Sequence, residues 1–251
     1  MIKKIASMLA LYAGISFGLM TYPASSRQND FVYHSSPKKI ELRAVVSDKL
    51  QYYPYFVREA KKQFGSNIEF IVNSTFFDVY SGKSIGKIVD SHKRITNGIW
   101  RGGVDLIACD DLFIISDTVN EKFDTKFRMG GLAWLVKDHR PIHEISYNRN
   151  IDPYSARKRT AFGVDDKGNL LVYYGTMNLE SIARRMDDLD CKDAVVNDGG
   201  SSAFFYVTGE IKNKPHRQLK SVIVGVKKPH KDGVSHYLLN VVGGLDSFGF
   251  R

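Results

Sequence analysis

The chain of 251 residues is 43% hydrophobic and 25% charged, enough apolar material for a sizeable core, which excludes a disordered or low-complexity protein. Its formal charge is +9, but the basic residues are scattered in short groups, so the pattern argues against nucleic acid as a partner and for a solvated basic face that draws anionic substrates. Two cysteines, Cys109 and Cys191, have no metal-like or CxxC spacing and read as one disulfide or two free thiols.

At the N-terminus Lys3-Lys4 precede an uncharged, mostly apolar run from Ile5 to Met20, and Ala24 and Ser26 supply the small residues of a cleavage site. Residues 1–26 read as a secretory signal peptide or an uncleaved N-terminal anchor. The expectation is an exported protein: periplasmic, extracellular or associated with the cell envelope. Beyond this segment the sequence shows no further membrane span.

Residues 27–38 read as a polar linker, and 39–251 as one domain. Ile40 to Ser47 alternate like a strand. Tyr52 to Phe64 have helical spacing, with Phe56, Ala60 and Phe64 on one face and Pro54 in the first turn. Ile68 to Val72 form a short apolar strand that stops at Asn73. Val104 to Ala108 and Leu112 to Ser116 read as a hairpin around Asp110-Asp111. Residues 120–131 read as a loop, Leu132 to Val136 as a strand, and 140–158 as a second long loop of the kind that borders binding sites. Ala161 to Val164 and Leu170 to Tyr174 flank Asp165-Asp-Lys-Gly168, a hairpin signal. Asn178 caps a helix from Leu179 to Leu189 with Ile182, Ala183, Met186 and Leu189 facing inward. Ala203 to Val207, Ser221 to Val226 and Tyr237 to Val242 are late strands. Strands outnumber helices and several are joined by hairpins. That predicts an α+β fold: a single domain with a mixed, largely antiparallel sheet and a few packing helices.

The most informative stretch is Ala194-Val-Val-Asn-Asp-Gly-Gly-Ser-Ser-Ala203. A buried strand delivers one carboxylate, Asp198, to a tight turn. Gly199 and Gly200 let backbone approach a ligand, and Ser201 and Ser202 add short hydroxyl donors. A plain Asp-Gly hairpin is the competing reading. A second strand ends in Asn73-Ser-Thr-Phe-Phe-Asp78, which places Asn73, Thr75 and Asp78 near a strand end or, equally, makes an aromatic core plug. In Arg157-Lys-Arg-Thr-Ala-Phe-Gly163, Arg159 at a strand entry suits a bidentate grip on phosphate, or a plain surface charge. Gly130-Gly-Leu-Ala-Trp-Leu-Val136 again joins glycines to an apolar strand.

Taken together and in order, these segments resemble the phosphodiester glycosidase family, which includes the lysosomal uncovering enzyme. The matching stretches are Asn73 to Asp78, Gly131 to Val136, Arg159 to Gly163 and Asp198 to Ser202, with the helix at 179–189 between the last two. Arg217 and the strand at Ser221 to Val226 look like the family's closing segment. The resemblance covers roughly residues 65–228. The chain departs from the family pattern: Ser74 and Thr75 replace two glycines, Leu132 a proline, Asn197 a leucine and Ser201 a third glycine.

The resemblance implies hydrolysis of a sugar-1-phosphodiester, breaking the anomeric bond to give free sugar and a phosphomonoester. On that reading Asp198 is the principal carboxylate, as base or nucleophile, and Asp78 the second. Arg159 binds the phosphate, Gly199, Gly200, Ser201 and Ser202 cradle phosphate or sugar hydroxyls, and Asn73 and Thr75 position the sugar. No cofactor and no metal is called for. The partner is a small or polymeric sugar phosphodiester, and the membrane is involved only through the N-terminal segment. Two alternatives remain: an exported, non-catalytic glycan- or envelope-binding protein, and a hydrolase gathering Asp198, Asp78 and Asp105 around a hard cation.

Overall fold

A computed structural model describes residues 30–98, 103–118, 124–142 and 152–229. The N-terminal segment to residue 29 and the strand expected at Tyr237 to Val242 lie outside the described residues.

The described chain runs β1 (Phe31–Ser35), β2 (Ile40–Gln51), α1 (Tyr53–Phe64), β3 (Ile68–Asn73), β4 (Ile88–Asp90), β5 (Lys93–Thr96), β6 (Val104–Ala108), β7 (Phe113–Ser116), β8 (Phe127–Lys137) and β9 (Arg140–Pro141). It continues with β10 (Arg157–Val164), β11 (Leu170–Met177), α2 (Leu179–Asp188), β12 (Asp193–Gly199), β13 (Phe205–Val207), β14 (Glu210–Asn213) and β15 (Leu219–Lys227). These strands form two sheets. The larger has the spine β1-β11-β10-β12-β8-β4-β5, with β6, β7 and β9 attached beside it; the smaller has the order β14-β13-β3-β15-β2. The expected α+β architecture is present, with two sheets in place of one. Among the described residues every ladder between strands is antiparallel.

Side-chain alternation stacks the layers. On β3, Phe70 and Val72 face the space between the sheets while Ile71 faces α1. On β12, Val195 faces inward while Ala194 and Val196 face α2; β10 divides Phe162 from Ala161 in the same way. The order is therefore α1, small sheet, large sheet, α2. Because both faces are covered, the central strands read as continuous apolar runs. α1 buries Phe56 and Ala60, starts at Pro54 in its first turn, and ends at Gly65. In α2 the Asn178 side chain accepts from the Ser181 amide at 2.8 Å, and Leu179, Ile182, Ala183 and Met186 are buried.

Three expectations change. The polar linker at 27–38 contains β1, because Val32 and Tyr33 bury their side chains while the strand pairs with β11. Phe127 to Gly131, expected as part of a loop, open β8, since the buried Phe127 and Met129 extend the run that begins at Leu132. The loop expected over 140–158 is cut back at both ends by β9 and β10, and residues 143–151 lie outside the described residues. Cys109 and Cys191 are free, Cys191 being buried. No helix among the described residues is long and apolar enough to cross a membrane.

Candidate active site

The small sheet meets the large one at the ends of β3 and β12, where the Asn73 side chain ties them together. Asn73 is 1% exposed. Its Nδ2 donates to the Asp198 carbonyl at 2.6 Å, and its Oδ1 accepts from the Phe204 amide at 3.0 Å and from Thr160 Oγ1 at 3.2 Å. Thr160 Oγ1 also lies 3.2 Å from the Asp198 carbonyl, and Asn197 Nδ2 donates to the Asn73 carbonyl. Residues of β3, β10 and β12 and the amide that leads into β13 thus converge on one buried amide. Closed to solvent and bonded on both its oxygen and its nitrogen, Asn73 holds the backbone of the site.

Asp198 is carried out of the core by the apolar residues before it and is half-buried. Burial pushes its carboxyl up to about 6, against the opposing pull of Ser202, the Gly199 amide, Arg217 and Arg159. The Gly199 amide donates to Oδ1 at 2.9 Å. The Ser202 hydroxyl is buried and has no hydrogen bond of full geometry, yet lies near enough to favour the ionised carboxylate. A carboxyl poised near neutrality is suited to moving protons.

Two arginines act on this carboxylate from different depths. Arg159 faces Gly199 across the β10–β12 ladder. A Cβ at position 199 would press on the Arg159 side chain at 3.3 Å and on the Lys158 carbonyl at 3.0 Å, so the glycine makes room for the arginine. Arg159 is 4% exposed, and its Nη2 donates to the Asp152 carbonyl. It contributes a fixed positive potential from within. Arg217 is exposed, and its backbone amide donates to the Ser201 carbonyl at 3.3 Å, beside that of His216 at 2.9 Å. Of the two cations near Asp198, Arg217 is the one open to an arriving anion.

The turn itself is open. Gly200 has φ of +62° and no atom within 4 Å of where a side chain would start. A ligand can therefore approach the backbone there, and the positive φ disfavours any other residue. Ser201 is exposed while Ser202 is fully buried.

Asp78 and Thr75 serve the framework. The Asp78 carboxylate accepts from the Tyr80 amide at 2.9 Å and from Ser81 Oγ at 2.9 Å. These bonds hold its pKa below the usual carboxylate range. It caps its own turn, so the expected pairing with Asp198 does not form among the described contacts. Asp78-Val-Tyr-Ser-Gly82 is a turn signature that the sequence already contained. Thr75 Oγ1 donates to the Gly130 carbonyl at 2.8 Å and is 3% exposed. Asp105 is held by Arg128 at 2.7 Å. The trio Asp198, Asp78 and Asp105 therefore does not assemble, and no group of three metal-ligating side chains occurs among the described residues.

The sequence profile of phosphodiester glycosidases matches residues 66–226, from the end of α1 to the end of β15. The chain belongs to the phosphodiester glycosidase family. The family segment thus includes Asn73, Arg159, Asp198 and Arg217, the residues just described. The human N-acetylglucosamine-1-phosphodiester alpha-N-acetylglucosaminidase is 26% identical over 172 residues, which is 57% of this chain and 32% of the human protein. This chain therefore spans about a third of that relative. The catalytic domain of the zebrafish enzyme of the same name, auto-inhibited by its pro-peptide, superposes with a TM-score of 0.61 at 15% identity, covering 84% of this chain and 87% of that one. A hypothetical protein from Synechocystis gives 0.51 at 13% identity, covering 79% and 59%. These superpositions show a shared fold.

Within this phosphodiester glycosidase fold, sequence reasoning gave Arg217 no role at the site and missed Thr160. Arg217 lies in the closing segment, so the family order was its one available signal. Nothing local marks Thr160, because its partners, Asn73 and the Asp198 carbonyl, come from distant strands.

Proposed function

We propose that the protein hydrolyses a sugar-1-phosphodiester at the anomeric carbon, releasing free sugar and a phosphomonoester. The observation that carries this reading is a poised carboxylate, Asp198, acted on by a buried and an exposed arginine, beside a turn with open space over Gly200. A substrate with a phosphodiester anion next to an electron-poor carbon matches that arrangement.

Arg217 receives the phosphodiester, while Arg159 biases the potential from below. Ionised Asp198 takes a proton from water as the water oxygen bonds to the anomeric carbon. The bond from that carbon to the phosphate oxygen breaks, and its electron pair leaves with the phosphomonoester. Asp198 then returns the proton to solvent. One carboxylate suffices because a phosphate leaves without strong protonation, unlike the sugar hydroxyl for which glycosidases keep a second acid. The engagement of Asp78 in its own turn fits this one-carboxylate scheme.

The relative's name supplies the first probe: an N-acetylglucosamine-1-phosphodiester in water enriched in heavy oxygen. Label in the released sugar supports the proposal. Label in the phosphate would make the protein a phosphodiesterase. The charged, then apolar, then small-residue pattern of residues 1–26 supports an exported setting for this activity, to be checked by fractionating cells that express the full chain.

A further inference from the structure

One exposed strip next to the site is left unexplained by a single phosphodiester. Lys214, His216 and Arg217 are all exposed and follow one another around Pro215, which is buried. Among the described residues no carboxylate lies within ion-pairing distance of any of the three, whereas the neighbouring Lys212 is paired with Glu210. The strip is rigidly placed. Asn213 Nδ2 donates to the Ala203 carbonyl, its Oδ1 accepts from Lys158 Nζ at 2.8 Å, and the His216 and Arg217 amides share the Ser201 carbonyl. The segment is thus fastened on both sides of the turn that bears Asp198, Gly200 and Ser201.

From Lys214 to Arg217 the backbone reaches at most ~11 Å. That is on the order of one Debye length, about 8 Å at physiological salt, so the charges reinforce one another at the mouth of the site. Lys214 and Arg217 are two cations held on one loop, and an anionic ligand bridging them relieves their mutual repulsion. Arg217 alone answers one phosphodiester. Lys214 and His216, both exposed beside it, are left over.

Resting on the sugar-1-phosphodiester reading, the geometry points to a substrate that carries further anionic groups beyond the scissile one: a chain of phosphodiester-linked units, whose next phosphate is held by Lys214 and His216. These two residues set specificity and take no part in bond breaking.

The test uses the full chain and its Lys214→Ser/His216→Ser double variant. The probes are poly(glycerol phosphate), a simple alkyl sugar-1-phosphodiester and dextran sulfate. The wild type is expected to bind poly(glycerol phosphate) about tenfold more tightly than the simple diester, with an affinity that falls as salt rises. The double variant is expected to lose that preference while its kcat/KM on the simple diester stays within about twofold. Equal binding of the polymer by both proteins overturns the proposal, as does a wild type without polymer preference. Equal retention of dextran sulfate also overturns it, by reducing the strip to general polyanion attraction. If no diester is turned over but the polymer preference and its loss are seen, the hydrolase reading falls and the strip's assignment stands. Turnover of the simple diester without polymer preference sinks the strip's assignment alone.

Discussion

The side-chain amide of Asn73 donates to the backbone carbonyl of Asp198 at 2.6 Å, across 125 residues of sequence. That bond, with those Asn73 Oδ1 accepts from Thr160 Oγ1 and from the Phe204 amide, sets where the poised carboxylate stands relative to the two sheets.

Replacing Asn73 by Ala should therefore act through the fold. It strands the buried Phe204 amide, at about 1–3 kcal/mol for an unsatisfied group, while the Asp198 carbonyl keeps Thr160 Oγ1. Urea denaturation should show a midpoint lowered accordingly. Residual activity should be lost together with stability, and a variant as stable as the wild type would contradict the role given to Asn73.

Asp198→Asn should do the reverse. Turnover should drop by a factor on the order of 10²–10³ or more, the scale set by loss of a central electrostatic group. Stability should rise in alkaline solution. The folded carboxyl is raised from 3.8 to about 6, so the native state holds its proton over a range where the unfolded chain has released it. The wild type is thus penalised as pH rises through that window, by at most about 3 kcal/mol. Melting curves at pH 4 should nearly coincide, and at pH 8 the variant should melt higher.

The pH dependence of kcat/KM should show a rising limb with an apparent pKa near 6, because the ionised carboxylate acts as base. Arg217→Ala removes a cation that favours ionisation, so the limb should move to higher pH while KM increases. Arg217→Lys should restore part of both effects. A limb that stays in place would separate Arg217 from Asp198.

Two glycines should respond differently to alanine. At Gly86 a methyl group would overlap the Gly130 carbonyl oxygen and crowd Thr75 Oγ1, so Gly86→Ala should cost several kcal/mol or abolish soluble protein. At Gly200 the space is open and only the φ of +62° resists, so Gly200→Ala should cost roughly 1–2 kcal/mol. Thermal melts of the two purified variants compare them directly.

Much of the fold was legible because its signals are local. Asp165 closes the β10–β11 hairpin by accepting from the amides of Lys167 and Asn169 at 2.9 and 2.8 Å, and Asn178 caps α2 within three residues. β1 was obscured by its polar flanks, since only pairing with β11 gives its short apolar run a place to bury. The division into two sheets was also hidden, because a strand covered on both faces has the same apolar run in either arrangement.

By itself the sequence determined many of the elements and the order of the family segments, and it placed an acid, Asp198, at the end of a buried strand. Those properties depend on residues a few positions apart. Only the tertiary structure decided that Asn73 is a joint, that Asp78 turns back on its own loop, and that Arg159 lies inside while Arg217 faces solvent. Burial and hydrogen-bond partnership depend on which strands meet, and here the meeting strands are far apart in the chain.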